Sequence, residues 1–172
     1  SRQGDSVVKY IFSLLGIKTS FKEVHSGKPT SVTLSRHLDH VATLTYDFIN
    51  WPDLAQTIIA TCCALDIPFH FTGLASLRIK ETDRLEAMRK ELGKLGFVIN
   101  VASDSEMTWD GTKCEATMEA INTYEDHRMA MAFAPLAIKF PGLRINNTEV
   151  VSKSYPSYWD DLRLAGFTIK SK

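Results

Sequence analysis

At 172 residues, 44% hydrophobic and 23% charged, the chain can bury one sizeable core as a globular domain. Lys plus Arg and Asp plus Glu both total 20, so no global field gathers nucleic acid or an acidic lipid surface, and any anion site must be local. No apolar run reaches the roughly 18 residues of a membrane span, Ser1 to Asp5 carry no apolar signal core, and three cysteines without framework spacing fit core thiols of a cytoplasmic protein.

In chain order, "DSVVKYIFSLLGIKTSF" is predicted as an amphipathic helix closing on Gly16 and running into a strand. "TSFKEV" and "SVTLSR", either side of Gly27 and Pro29, are predicted as a hairpin. "RHLDH" offers His37, Asp39 and His40 as metal ligands, but fits a solvated turn better. "PDLAQTIIATCCAL" opens on an acidic cap, Asp53, and reads as a buried Ala-rich helix carrying Cys62 and Cys63. "FHFTGLASLRIK" reads as a strand leading to Lys80, followed from Glu81-Thr82 by the amphipathic helix of "DRLEAMRKELGKLGFVINV", which closes on Gly96. "FVINVAS" and "MTWDGTKC" flank Asp104 as a second hairpin. "EDHRMAMAFAPLAI" repeats the acidic cap and Ala-rich helix, "LRINNTEVVSK" reads as a strand leading to Lys153, and "YWDDLRLAGFTIK" is a last helix closing on Gly166 before a strand.

These segments share a period. Asp53 and Asp126 are 73 residues apart, and Lys80 and Lys153, 27 residues beyond each, are again 73 apart. One repeat runs helix, strand, helix and two strands, which makes the class α/β with mixed sheets. The repeats divide a single domain into a truncated copy over about 1–48 and copies over about 49–120 and 121–172. Helix N-termini suit phosphate and carboxylate, and here cations gather at them: Lys80 and Arg84 at one, His127 and Arg128 at another, Lys153 ahead of the helix that Pro156 begins. Cations there oppose the helix dipole, a breach of local stability rules of the kind found at functional sites. Two arrangements satisfy the spacing. Glu81, Asp83 and Asp126 neutralise the cations in a surface ion-pair network, or the cations converge with Asp53 and Glu81 on a small polyanion handled by acid–base chemistry.

"RIKETDRL" (78–85) and "EDHRMAMAFAPLA" (125–137) resemble two signature segments of the 5-enolpyruvylshikimate-3-phosphate synthase family, and "VVSKSYPSYWDDL" (150–162) resembles a third. "NWPDLAQTIIATCCA" and "RQGDSVVKYIFSLLG" are similar to two more, all five in the family's order. The resemblance implies a fold of βαβαββ units, three in each of two domains. It also implies a reaction. The 5-hydroxyl of shikimate 3-phosphate attacks C2 of phosphoenolpyruvate, C3 gains a proton, and the intermediate expels phosphate, with no metal or organic cofactor. Carried over, Asp53 is the acid–base group near the 5-hydroxyl, Lys80 contacts that hydroxyl, and Glu81 serves proton transfer at the methyl carbon. Arg84 and Arg128 hold the phosphoenolpyruvate carboxylate, His127 and Lys153 stand at its phosphate, and Asp53, Ser76 and Lys80 contact shikimate 3-phosphate. Glyphosate, which takes the phosphoenolpyruvate position in the family, would meet the same residues.

Ser76 stands where the family usually carries Asn, and the family's first half has no counterpart here. The chain is therefore expected to be a C-terminal fragment, about two-fifths of a monomeric enzyme, without turnover alone but binding phosphoenolpyruvate or phosphate weakly. Its truncated first copy leaves apolar faces bare, a setting for self-association. The alternatives are the sister transferase acting on UDP-N-acetylglucosamine, against which "KETDRL" and "DHRMAM" speak, and a non-catalytic anion-binding remnant.

Overall fold

The computed structural model describes residues 5–22, 31–37 and 39–170. Helix α1 (Asp5–Leu14) turns at Gly16 into an antiparallel ribbon of β1 (Ile17–Lys22) and β2 (Ser31–Arg36), in register from Ile17 opposite Arg36 to Lys22 opposite Ser31. The turn expected at Gly27 and Pro29 lies outside the described residues. On the ribbon Phe21, Val32 and Leu34 share a face and are exposed, whereas Ile11 and Leu15 of the preceding helical stretch enter the core.

A complete βαβαββ unit follows. It comprises β3 (Leu44–Asp47), α2 (Ala55–Leu65), β4 (Phe69–Thr72), α3 (Arg84–Lys94), β5 (Asn100–Ser103) and β6 (Glu106–Trp109). The strands order as β3-β4-β6-β5, with β3 and β4 parallel and the other pairs antiparallel, so the sheet is mixed as expected. Parallel pairing of β3 and β4 needs a crossover, and α2 is that crossover. Alternation along β4 turns Phe69 and Phe71 inward, where they stack at 4.5 Å and meet Phe48 and Trp109 edge-on or tilted. Helix α2 is buried nearly all round, including Ile58, Ile59, Cys62 and Cys63, and lies against both α3 and α4 (His127–Phe133). Such a helix needs small residues, hence its Ala and Cys content. The last helix is α5 (Tyr158–Leu164).

Gly16, Gly96 and Gly166 all adopt positive φ (89°, 90° and 101°) just past a helix end, as the closing-glycine pattern predicts. Three expected strands are different. β4 stops at Thr72, because Gly73 (φ 72°) turns the chain into a 3-10 segment, Ala75–Ile79, which carries Ser76 and Arg78. In 143–153 only Ile145 pairs, bridging Ile121 in parallel; Asn147 (φ 51°) then starts the 3-10 segment Thr148–Lys153, whose Val150 and Val151 pack on Ala130 of α4. After Gly166, residues 167–170 join no strand among the described residues.

Candidate active site

Helix α3 begins at Arg84, three residues later than the sequence suggests. Asp83 is its N-cap, and one carboxylate oxygen accepts from the N–H groups of Leu85 and Glu86, both at 3.1 Å. The other oxygen takes Arg78 at 2.7 Å, which fixes the "RIKETD" stretch to the start of the helix. Helix α4 begins as predicted, with Asp126 as N-cap accepting from Arg128 N–H at 2.8 Å. Asp53 does not cap α2. It sits in the 3-10 segment Pro52–Leu54 ahead of it, so its carboxylate is free to meet cations.

Those cations come from two other elements. Arg84 is buried at 2% exposure and donates four of its five N–H groups to carboxylates. Nε and Nη2 form a fork on the fully buried Asp126, at 2.6 and 3.3 Å. Nη1 meets Asp53 at 2.9 Å and Nη2 meets Glu81 at 2.7 Å. Lys80 Nζ lies 3.5 Å from the same Asp53 oxygen. Arg128 Nη2 lies 3.5 Å from the other, and its Nη1 donates to the Asp53 backbone carbonyl at 3.1 Å. Glu81 is held below the usual carboxylate range, first by its own backbone N–H and then by the charges of Arg84, His127 and Lys80.

Three cations and three carboxylates thus interlock, and Arg84 has two unlike edges. The inner edge is fixed on Asp126, a buried pair. The outer edge meets Asp53 and Glu81, whose side chains are 43% and 47% exposed. An incoming planar carboxylate can take that outer edge by displacing two half-exposed side chains.

Of the residues singled out in the sequence, the structure brings Asp53, Lys80, Glu81, Arg84 and Arg128 into one network, with His127 close enough to act on Glu81. It leaves Ser76 and Lys153 outside that network. Ser76 is exposed on the 3-10 segment beside that of Asp53, and Lys153 ends the segment packed on α4; among the described residues neither bonds to the cluster. His37 and His40 lie against backbone carbonyls of Ser13 and Val41 at 3.1 Å, and the described residues hold no group of three side chains that could ligate a metal. In the sequence Asp126 figures as a cap and as one of three acids of a surface ion-pair network; the structure instead buries it and makes it the anchor of Arg84. The signal available was its 73-residue register with Asp53.

Residues 1–162 match the family profile described as EPSP synthase (3-phosphoshikimate 1-carboxyvinyltransferase). The chain belongs to the EPSP synthase family. It is 52% identical, over 99% of its own length, to 3-phosphoshikimate 1-carboxyvinyltransferase from Bacteroides fragilis strain ATCC 25285, and 32% identical, over 93%, to the protein of that name from Syntrophobacter fumaroxidans. It spans 40% of the first relative and 36% of the second. EPSP synthase from Acinetobacter baumannii has the same fold, with TM-score 0.72 at 22% identity over 99% of this chain and 40% of that one. Among the described residues no helix is long and apolar enough to cross a membrane.

Proposed function

We propose that this chain is the C-terminal part of a cytoplasmic EPSP synthase, which transfers the enolpyruvyl group of phosphoenolpyruvate to the 5-hydroxyl of shikimate 3-phosphate. The names of its relatives supply the reaction, and the two-edged Arg84 is the observation that best supports it. Phosphoenolpyruvate carries a planar carboxylate beside a phosphate. The carboxylate displaces Asp53 and Glu81 from the outer edge of Arg84 and is shared with Arg128, while His127 and Lys153 balance the phosphate. Asp53, released from Arg84 but still beside Lys80, accepts the proton of the attacking 5-hydroxyl. The 5-hydroxyl oxygen bonds to C2 as C3 takes a proton from Glu81 in its protonated form. As the C2–O bond to phosphate breaks, the phosphate leaves with the proton held by Asp53, and Glu81 takes a proton back from C3. In the free protein its depressed pKa keeps it ionised, and displacement from Arg84 removes one cause of that depression and makes it a stronger base. Lys80 and Ser76 bear on shikimate 3-phosphate. Fixed cations around the developing negative charge are worth more here than in water, because Asp126 already holds Arg84 in place.

The test is phosphate release by the full-length protein. Release should require both phosphoenolpyruvate and shikimate 3-phosphate. Release with UDP-N-acetylglucosamine in place of shikimate 3-phosphate, or none with either acceptor, overturns the proposal. For the chain alone we expect no turnover and weak binding of phosphoenolpyruvate or phosphate. A Lys80→Ala/Arg128→Ala double variant that binds phosphoenolpyruvate with unchanged Kd refutes the site.

A further inference from the structure

The polar group most conspicuously absent from this chemistry is Glu91. It lies on α3, seven residues beyond Arg84 and so on the same side of the helix. It is fully buried. Its Oε1 accepts from the Tyr124 hydroxyl at 2.6 Å, and its Oε2 accepts from the backbone N–H of Asn122 at 2.9 Å and from Lys94 Nζ at 2.6 Å. Lys94 also donates to the carbonyl of Ala120 at 3.0 Å. A buried carboxylate with three donors of its own is a built feature, since an unpaired one would cost several kcal/mol.

What it holds is a strained arch. Tyr124 and Glu125 both adopt left-handed backbone (φ 54° and 58°), although neither is glycine. Each such residue costs about 1–3 kcal/mol and persists only where its surroundings over-determine it. The arch runs straight into Asp126, His127 and Arg128, and it is tied to α3 at both ends. Glu91 grips Asn122 and Tyr124, while Arg84 grips Asp126. The far side is held by Ile121 N–H on Arg144 O at 2.8 Å, and the arch closes on itself through Asp126 N–H on Thr123 O at 2.9 Å.

We infer that Glu91 is a positioning residue. It clamps the 122–126 arch to α3, so that Asp126 meets the inner edge of Arg84 and α4 starts with Arg128 aimed at Asp53. Its functional consequence rests on the transferase reading, but its geometric content does not. Two measurements keep the two apart. In this chain, Tyr124→Phe removes one oxygen from the clamp and Glu91→Gln removes its charge; each should shift the NMR signals of the Arg84 side-chain Nε–H and the Arg128 amide, leaving those of β5 and β6 in place. In the full-length protein the same variants should raise KM for phosphoenolpyruvate roughly tenfold or more, in line with an ångström-scale misplacement, with KM for shikimate 3-phosphate within about twofold. A purely structural role would lower Tm and leave that split unmoved. Unchanged Arg84 and Arg128 signals in whichever variant stays folded overturn the inference, whether or not the full-length protein turns over. Shifted signals in a protein without turnover uphold the clamp and defeat only the transferase reading.

Discussion

Arg84 carries unequal risks on its two edges. Removing Asp126 leaves a buried guanidinium without its closest partner, a change that typically costs about 3–5 kcal/mol, and also deletes the cap of α4, worth about 1 kcal/mol. Removing Glu81 takes away a half-exposed partner, for which 0–1 kcal/mol is the usual range at about physiological salt. Urea unfolding should therefore show Asp126→Ala severely destabilised and Glu81→Ala near wild type; equal losses would mean the two edges are not distinct. The cysteines divide in the same way. Burial pushes Cys62 up to about 12 and Cys63 upward as well, whereas Cys114 is exposed. A thiol reagent should consequently modify Cys114 rapidly in the native protein and reach Cys62 and Cys63 only in denaturant. Rapid native reaction of all three would contradict the buried α2.

At the scale of elements, Gly73 decides where the site's loops go. A Cβ there would lie 2.2 Å from Asp47 Oδ1 and 2.3 Å from the backbone N of Ile49, at a φ of 72° that side chains rarely adopt. The two loops it joins lead to Asp53 on one side and to Ser76 through Glu81 on the other. Gly73→Ala should thus cost about 2 kcal/mol or more of unfolding free energy, read from urea denaturation, and should weaken phosphoenolpyruvate binding as Lys80 draws away from Asp53. Stability and binding both unchanged would show that the loops do not depend on this close approach. Helices were legible because their signals are local: apolar spacing, the Asp126 cap, and closing glycines whose positive φ only a structure can display; the Asp83 cap, hidden among the charges of the stretch before it, was not. The run "TEVVSK" misleads because Val150 and Val151 favour strands intrinsically. With only Ile145 paired, tertiary packing on Ala130 determines the outcome instead. Likewise the motif residues identify the cluster, but which carboxylate is buried depends on how α2, α3 and α4 meet, and that is non-local.

Across the whole molecule the 73-residue register becomes physical contact. Gln56 Nε2 lies 3.2 Å from Met129 Sδ, Asp66 pairs with Lys139, and Asp53 and Asp126 share Arg84, each pair 73 residues apart. Equivalent positions of α2 and α4 are thus set side by side, and the site lies where that seam meets the N-terminus of α3. Charges along and around the seam set the pH window of the fold. Glu81, Glu86 (through Arg89) and Asp66 are all held below the usual carboxylate range, Asp66 against the opposing cost of burial through its bonds to Lys113 and Lys139. A depressed folded pKa adds stability above the unfolded value, about 4, and loses it as pH falls through the folded value. Tyrosines act in the opposite sense. Burial pushes Tyr158 up to about 12, and burial together with Glu91 raises Tyr124, so their contribution is complete below about 10 and disappears as pH climbs through the raised values. Buried Cys62 and Cys63, also raised, add to that limb from about pH 8.5, so Tm should be flat between about pH 5 and 8 and fall on both sides. Raising salt should flatten the acid limb, whose partners are largely exposed, and leave the alkaline limb in place, because burial sets it. A Tm that rises below pH 4, or an alkaline limb unchanged by Tyr158→Phe together with Tyr124→Phe, would show that other groups control the window.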